Sequence, residues 1–183
     1  MLKKTLLSYK PSCEQEREDL RMMLRYVDMF DDVLLRTNET AHFTASSWIV
    51  NPTHDRTLMV YHNIYNSWSW TGGHAYGDQD LLQVALREAQ EETSIANIRP
   101  VSPHPYSIEI VPVPTHFKRG KYVVPHVHLN VTYLLEADDS QFIHCKPDEN
   151  SAVQWFSLEE AIAASTEPDM RIIYRKLNDK LRT

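Results

Sequence analysis

At 183 residues, with 42% hydrophobic residues and a formal charge of −6, the chain suits one domain with a real core and excludes a general nucleic-acid-binding surface. No apolar run approaches membrane-spanning length, and MLKKTLLSYK is too short and too polar at its end for a secretory signal. Cys13 and Cys145 lie too far apart for a metal or disulfide motif and read as reduced thiols of a cytoplasmic protein.

Taken in order, the chain opens on a helix from Ser12 to about Phe30. Ser12 and Gln15 have capping-box spacing, and Leu20, Met23, Leu24 and Val27 recur at helical intervals. Residues 1–42 form an N-terminal helical extension, expected to pack on the domain or on a second subunit in a homodimer. The segment 43–183 is expected to be the functional domain. Its first strand runs from Phe43 to Val50, NPTHDR is a turn cluster, and TLMVYH returns as the second strand of a hairpin. A third short strand carries Trp68 and Trp70. Trp68 reads equally as a substrate-facing aromatic or as core.

The stretch from Trp68 to Ile95, WSWTGGHAYGDQDLLQVALREAQEETSI, is the most informative. Three of the four glycines, Gly72, Gly73 and Gly77, sit in it and predict a special turn. Asp78 is placed to cap the helix that follows, whose apolar face is Leu81, Leu82, Val84, Ala85 and Ala89. At about 100° per residue, Glu88, Glu91 and Glu92 fall on one side of that helix and continue its apolar stripe. Three acids together near the negative end of a helix dipole repel one another, and Arg87 offsets only part of this. A hard divalent cation such as Mg²⁺ or Mn²⁺ would offset the rest.

The spacing resembles the Nudix box, GX5EX7REUXEEXGU, where U is a bulky apolar residue. Gly73 matches its first glycine, Arg87 and Glu88 the RE, Glu91 and Glu92 the EE, and Ile95 the final apolar position. Gln79 stands where the pattern has Glu, Ser94 where it has Gly, and Ala89 is small for its position. The resemblance extends from about Phe43 to the C-terminus. It implies an α/β fold, an α/β/α sandwich around a mixed sheet. It also implies hydrolysis of a phosphoanhydride in a nucleoside diphosphate linked to another moiety. Glu88, Glu91 and Glu92 would hold Mg²⁺ or Mn²⁺, Arg87 would orient the carboxylates, and Glu91 or Glu149 would take a proton from water. Glu149 enters by its spacing, six residues before Trp155. In the family the box glutamate at the position of Gln79 supports the arginine, so the amide is expected to weaken that support. The rival reading is a Nudix-fold nucleotide-binding or regulatory protein with diminished turnover. A prenyl-diphosphate isomerase ranks last, because neither cysteine lies beside an active-site motif.

Beyond the box, residues 98–125 hold six of the ten prolines. Within them SIEIV alternates as a strand, and THFKRGKYVVP reads as a long connection whose Lys118, Arg119 and Lys121 would be solvated or would steer a phosphate. The strand PHVHLNVTYLL puts His126, His128, Asn130 and Thr132 on one face. Its two histidines could share a metal ion, but substrate contacts or supporting hydrogen bonds are the expected use of His126, His128 and Asn130. The expected substrate is a small nucleotide-type molecule. SLEEAIAA opens with a capping box, Ser157 and Glu160, and Pro168 opens a last amphipathic helix; both are read as packing.

Overall fold

The computed structural model describes residues 1–118 and 120–182, and Lys118 by its backbone only; Arg119, one of the expected basic loop residues, lies outside the described residues. The chain starts with α1 (Leu2–Ser8) and α2 (Glu14–Met29). Four strands follow: β1 (Ala41–Val50), β2 (Arg56–His62), β3 (Ser67–Ser69) and β4 (Thr71–His74). After α3 (Leu81–Thr93) come β5 (Ile98–Pro100), β6 (Ser107–Val113), β7 (His116–Lys118), β8 (Lys121–Val123) and β9 (His126–Ala137). β10 (Asn150–Ser157), α4 (Leu158–Ala164) and α5 (Pro168–Lys180) complete the chain.

Two long strands carry the sheet. β1 and β9 pair in parallel over ten residues, from Ala41 opposite Val127 to Val50 opposite Glu136. All other pairings are antiparallel, so the sheet is mixed. On the outer edge of β1, pairing passes from β4 (Thr44–Ser47) to β2 (Ile49–Val50). On the outer edge of β9 it passes from β6 to β5.

Side chains alternate along a strand, and here the alternation separates two environments. Phe43, Ala45, Ile49, Leu129, Val131, Tyr133 and Leu135 join Val84, Ala85 and Ala89 of α3, and Leu2, Leu6 and Met23 of the N-terminal helices, in one core. The even-numbered residues face the other way. At one end Trp48, Val50 and Leu134 form a second core with Ala161, Ile162, Met170, Tyr174 and Leu177 from α4 and α5. At the other end the same face turns polar: His42, Thr44 and Ser46 beside His128, Asn130 and Thr132. Helices on both faces of a mixed sheet make the expected α/β/α sandwich.

Local details differ from the sequence-based expectations. Ser12 does not form a capping box with Gln15; its backbone N–H and Oγ both donate to Glu16 Oε2, at 2.7 and 3.0 Å. α3 is capped by Asp80, which accepts from the Gln83 N–H, while Asp78 accepts from the Asp80 N–H and shapes the preceding turn. The expected glycine turn is divided: Gly72 and Gly73 lie within strand β4, and only Gly77, at φ +90°, makes a turn of positive φ. The expected long connection contains the hairpin β7–β8, with Gly120 at φ +75° in its turn. α1 was not anticipated; Leu2 and Leu6 seat it in the first core. Among the described residues no helix is long and apolar enough to cross a membrane.

Candidate active site

A cleft of about 210 Å³ opens over the polar half of the sheet. Ser69 and Trp70, Gly72 to His74, Thr44 and Ser46 line one part of it, and His126, His128 and Asn130 another. Glu88 and Glu92 enter from α3 and Glu149 from the loop before β10.

The glycine pair explains how helix carboxylates reach this cleft. A Cβ on Gly73 would lie 2.3 Å from Glu88 Cδ, so the Glu88 carboxyl occupies the space a side chain would fill. The Glu92 carboxylate, one helical turn on, accepts from the Gly72 backbone N–H. Gly72 itself has no room for a Cβ, which would meet Ala45 O at 2.7 Å and Ser46 Oγ at 2.5 Å. The two glycines therefore let β4 pair closely with β1 while the acids pass its edge.

Burial and like charge outweigh the cations near these acids. Burial first, then the neighbouring Glu91, raise the Glu88 pKa above its ordinary value. Burial again, followed by Glu88 and Glu149, push Glu92 well above the ordinary carboxylate range. Arg87 lies 3.7 Å from Glu88 and stays at the surface. Glu91 is half exposed on the rim, 3.5 Å from Lys146 Nζ, which also pairs with Glu149 at 3.1 Å. Lys146 was not singled out from sequence, yet it ties α3 to the loop carrying Glu149. Crowded oxygen donors facing a cleft fit a hard divalent cation of the Mg²⁺ class.

The remaining expected site residues divide. His126 and His128 line the cleft, with their Nε2 atoms 3.3 Å apart. Asn130 also borders it but is 2% exposed, and its amide is fully engaged. Its Oδ1 accepts from Thr44 and Ser46, and its Nδ2 donates to Glu109 and Thr132. Glu109 in turn pairs with Lys176 at 2.9 Å, and Lys180 pairs with Glu16 at 2.7 Å. Asn130 thus anchors a buried polar network rather than offering free hydrogen-bonding atoms. Trp68 packs against Tyr61 and Phe156 away from the cleft wall, and Trp70, two residues on, lines it instead. Gln79 does not approach Arg87 in a hydrogen bond; its Oε1 accepts from the Met1 nitrogen at 2.7 Å. Arg36, Tyr65, His42 and His74 belong to the cleft or its floor and were not anticipated.

A family model for the NUDIX domain matches residues 41–177. The chain belongs to the NUDIX family. It is a pyrophosphohydrolase of the Nudix type, a group acting in general on nucleoside diphosphate derivatives. No curated protein matches it. Among solved structures, the binary complex of a C. elegans Ap4A hydrolase is 20% identical with a TM-score of 0.54, covering 76% of this chain and 97% of its own. A NUDIX family hydrolase from Clostridium perfringens is 21% identical with the same coverage and TM-score. The E. coli dihydroneopterin triphosphate pyrophosphohydrolase is 18% identical, covers 73% of this chain and 92% of its own, and has a TM-score of 0.53. At these identities the likeness is one of fold.

Proposed function

We propose that the cleft hydrolyses a phosphoanhydride bond in a nucleoside diphosphate linked to another moiety, with Mg²⁺ or Mn²⁺ held by Glu88 and Glu92 and completed by Glu91 from the rim. The observation that carries this reading is the passage of two carboxylates, Glu92 buried and Glu88 partly buried, past Gly72 and Gly73 into the cleft. When bound, the cation neutralises phosphate charge and lowers the pKa of a water in its coordination shell. Glu149 faces the same cleft from another loop and is our candidate for taking the proton of the attacking water, with Lys146 fixing its carboxylate. Glu91 is the alternative base. Arg87 steadies Glu88 from the surface. Arg36 on the cleft wall offers a charge to the distal phosphate, and Trp70 and Tyr65 offer aromatic faces to a base or sugar.

Two of the similar structures are named for different substrates, an Ap4A hydrolase and a dihydroneopterin triphosphate pyrophosphohydrolase, so their names do not choose one here. Cys13 and Cys145 are both free thiols, in keeping with a reducing, cytoplasmic setting. The test is a nucleotide panel assayed with Mg²⁺ and with Mn²⁺, products identified by mass, for wild type and Glu92→Gln. Release of phosphate or a nucleoside monophosphate by wild type, with turnover reduced by about two to three orders of magnitude in the variant, is expected. A folded wild type inactive with both metals on the whole panel would transfer the cleft to the nucleotide-binding reading.

A further inference from the structure

Four imidazoles meet at one end of the cleft, from three strands far apart in sequence. His42 and His128 are direct neighbours on β1 and β9, and His74 on β4 pairs with Thr44 two residues further along β1. The ring centroids of His42 lie 5.1 Å from each of His74, His126 and His128. One nitrogen from each of His42, His74 and His128 lies within 4.8 Å of the others.

The hydrogen bonds fix which nitrogens face inward. His42 Nδ1 is 2.8 Å from the Asn38 carbonyl, and His126 Nδ1 is 2.9 Å from the Val124 carbonyl. A carbonyl only accepts, so each Nδ1 carries the proton and each Nε2 keeps its lone pair. Anchoring of one ring nitrogen on a carbonyl, leaving the other to a cation, is the usual support of a metal-binding histidine. His42 is 3% exposed, and its Nε2 is buried with no hydrogen-bond partner. A buried acceptor left unsatisfied is unfavourable unless something fills its lone pair.

We propose that His42, His74, His126 and His128 form a binding site for a borderline transition-metal cation, Zn²⁺ above all, separate from the carboxylate site. Tetrahedral coordination at about 2.0–2.1 Å needs ligand nitrogens about 3.3–3.4 Å apart. The Nε2 atoms of His126 and His128 already stand at 3.3 Å. His42, His74 and His128 close on the ion by ring rotation, His126 joins them from outside that group of three, and the His128 proton passes from Nε2 to Nδ1 so that a neutral imidazole binds. An all-imidazole set favours zinc and its neighbours over Mg²⁺, which prefers oxygen. The two donor sets share no residue, although they adjoin along the cleft: Glu88 meets β4 at Gly73, directly before His74. An all-imidazole site therefore stands whether or not the carboxylates hold a cation.

The test uses untagged, metal-stripped protein titrated with Zn²⁺ against a chelating dye, and with Co²⁺ alone. Wild type is expected to bind one equivalent of Zn²⁺ and to give the intense visible absorption of tetrahedral Co²⁺ at the same stoichiometry. Both signals persist in the Glu88→Gln/Glu92→Gln variant, and Zn²⁺ affinity drops about a hundredfold or more in His74→Ala and in His128→Asn. If those histidine variants do not fold, Zn²⁺-induced shifts of the imidazole nitrogens in wild type decide the matter instead. No stoichiometric Zn²⁺ binding by wild type overturns the proposal, as does binding that disappears in the carboxylate variant while surviving in His74→Ala.

Discussion

Glu92→Gln separates the cost of an unneutralised acid from its use. Glu92 is 6% exposed, and burial together with the Glu88 and Glu149 carboxylates raises its pKa well above the ordinary value. A raised folded pKa means that the folded chain holds this proton more tightly than the unfolded chain. Stability is then lost as pH rises from the unfolded pKa through the folded one, each unit of difference being worth about 1.4 kcal/mol. Glutamine keeps an oxygen for the Gly72 N–H, exchanging a charged hydrogen bond for a neutral one at a cost of about 1 kcal/mol. Relief of the several kcal/mol that desolvation of a buried carboxylate costs exceeds that loss. At about pH 8 in EDTA the variant should be more stable by about 1–2 kcal/mol, a rise in Tm of about 2–8 °C for a chain of this size. The advantage should shrink as pH falls, because wild type then carries the proton. Mg²⁺ at about a hundred times its Kd should add about 2.7 kcal/mol to wild type and much less to the variant, reversing their order. Thermal melts across pH, with and without Mg²⁺, measure all of this. A variant less stable than wild type in EDTA at the higher pH, or a gain indifferent to pH, refutes the reasoning.

Gly73→Ala should displace the Glu88 carboxyl and weaken Mn²⁺ binding more than tenfold with modest loss of stability, whereas Gly72→Ala, pressed on backbone, should cost about 1–3 kcal/mol in a denaturant titration. Gln79→Glu should leave kcat within about twofold of wild type, because Gln79 hydrogen-bonds the N-terminal helix region rather than Arg87; a change of tenfold or more in either direction would restore the link to the arginine. Burial alone would raise the Glu16 pKa, but the Lys180 ammonium and the Ser12 N–H outweigh it and hold it at about 2. Its contribution is present above the unfolded value of 4.5 and lost as pH falls through about 2, so acid titration of Glu16→Gln should be flatter than that of wild type and start about 3–5 kcal/mol lower.

The box was legible because its information is local. A helix repeats every 3.6 residues, so Glu88, Glu91 and Glu92 could be set on one side of it from spacing alone. How far each reaches was not legible: Glu92 is buried against Gly72 while Glu91 sits on the rim with Lys146. Gly72 and Gly73 suggest a turn by propensity, but close pairing with β1 decides, and makes them strand. The histidine cluster depends on the parallel register of β1 with β9, which no local pattern encodes. The usable signal was a histidine near the start of each of two β-type runs, His42 and His126, and another directly after the glycine pair. Asn130 was placed on the correct face, but its partners Glu109, Thr44 and Ser46 come from strands whose neighbours could not be inferred. Trp68 and Trp70 share parity, yet β3 ends at Ser69 and the two rings part.

The parallel pairing of β1 with β9 also sets a timetable for synthesis. β4 emerges soon after β1 and covers part of one of its edges, but the opposite edge waits for a partner 86 residues downstream. At a translation rate of about 5–20 residues per second, that is an interval of about 4–17 s. During it a ten-residue strand, buried along its whole length in the finished fold, presents an open row of backbone donors and acceptors. The nascent chain is therefore most exposed to mispairing before β9 leaves the ribosome, and a truncation ahead of His126 should aggregate rather than yield a smaller stable domain.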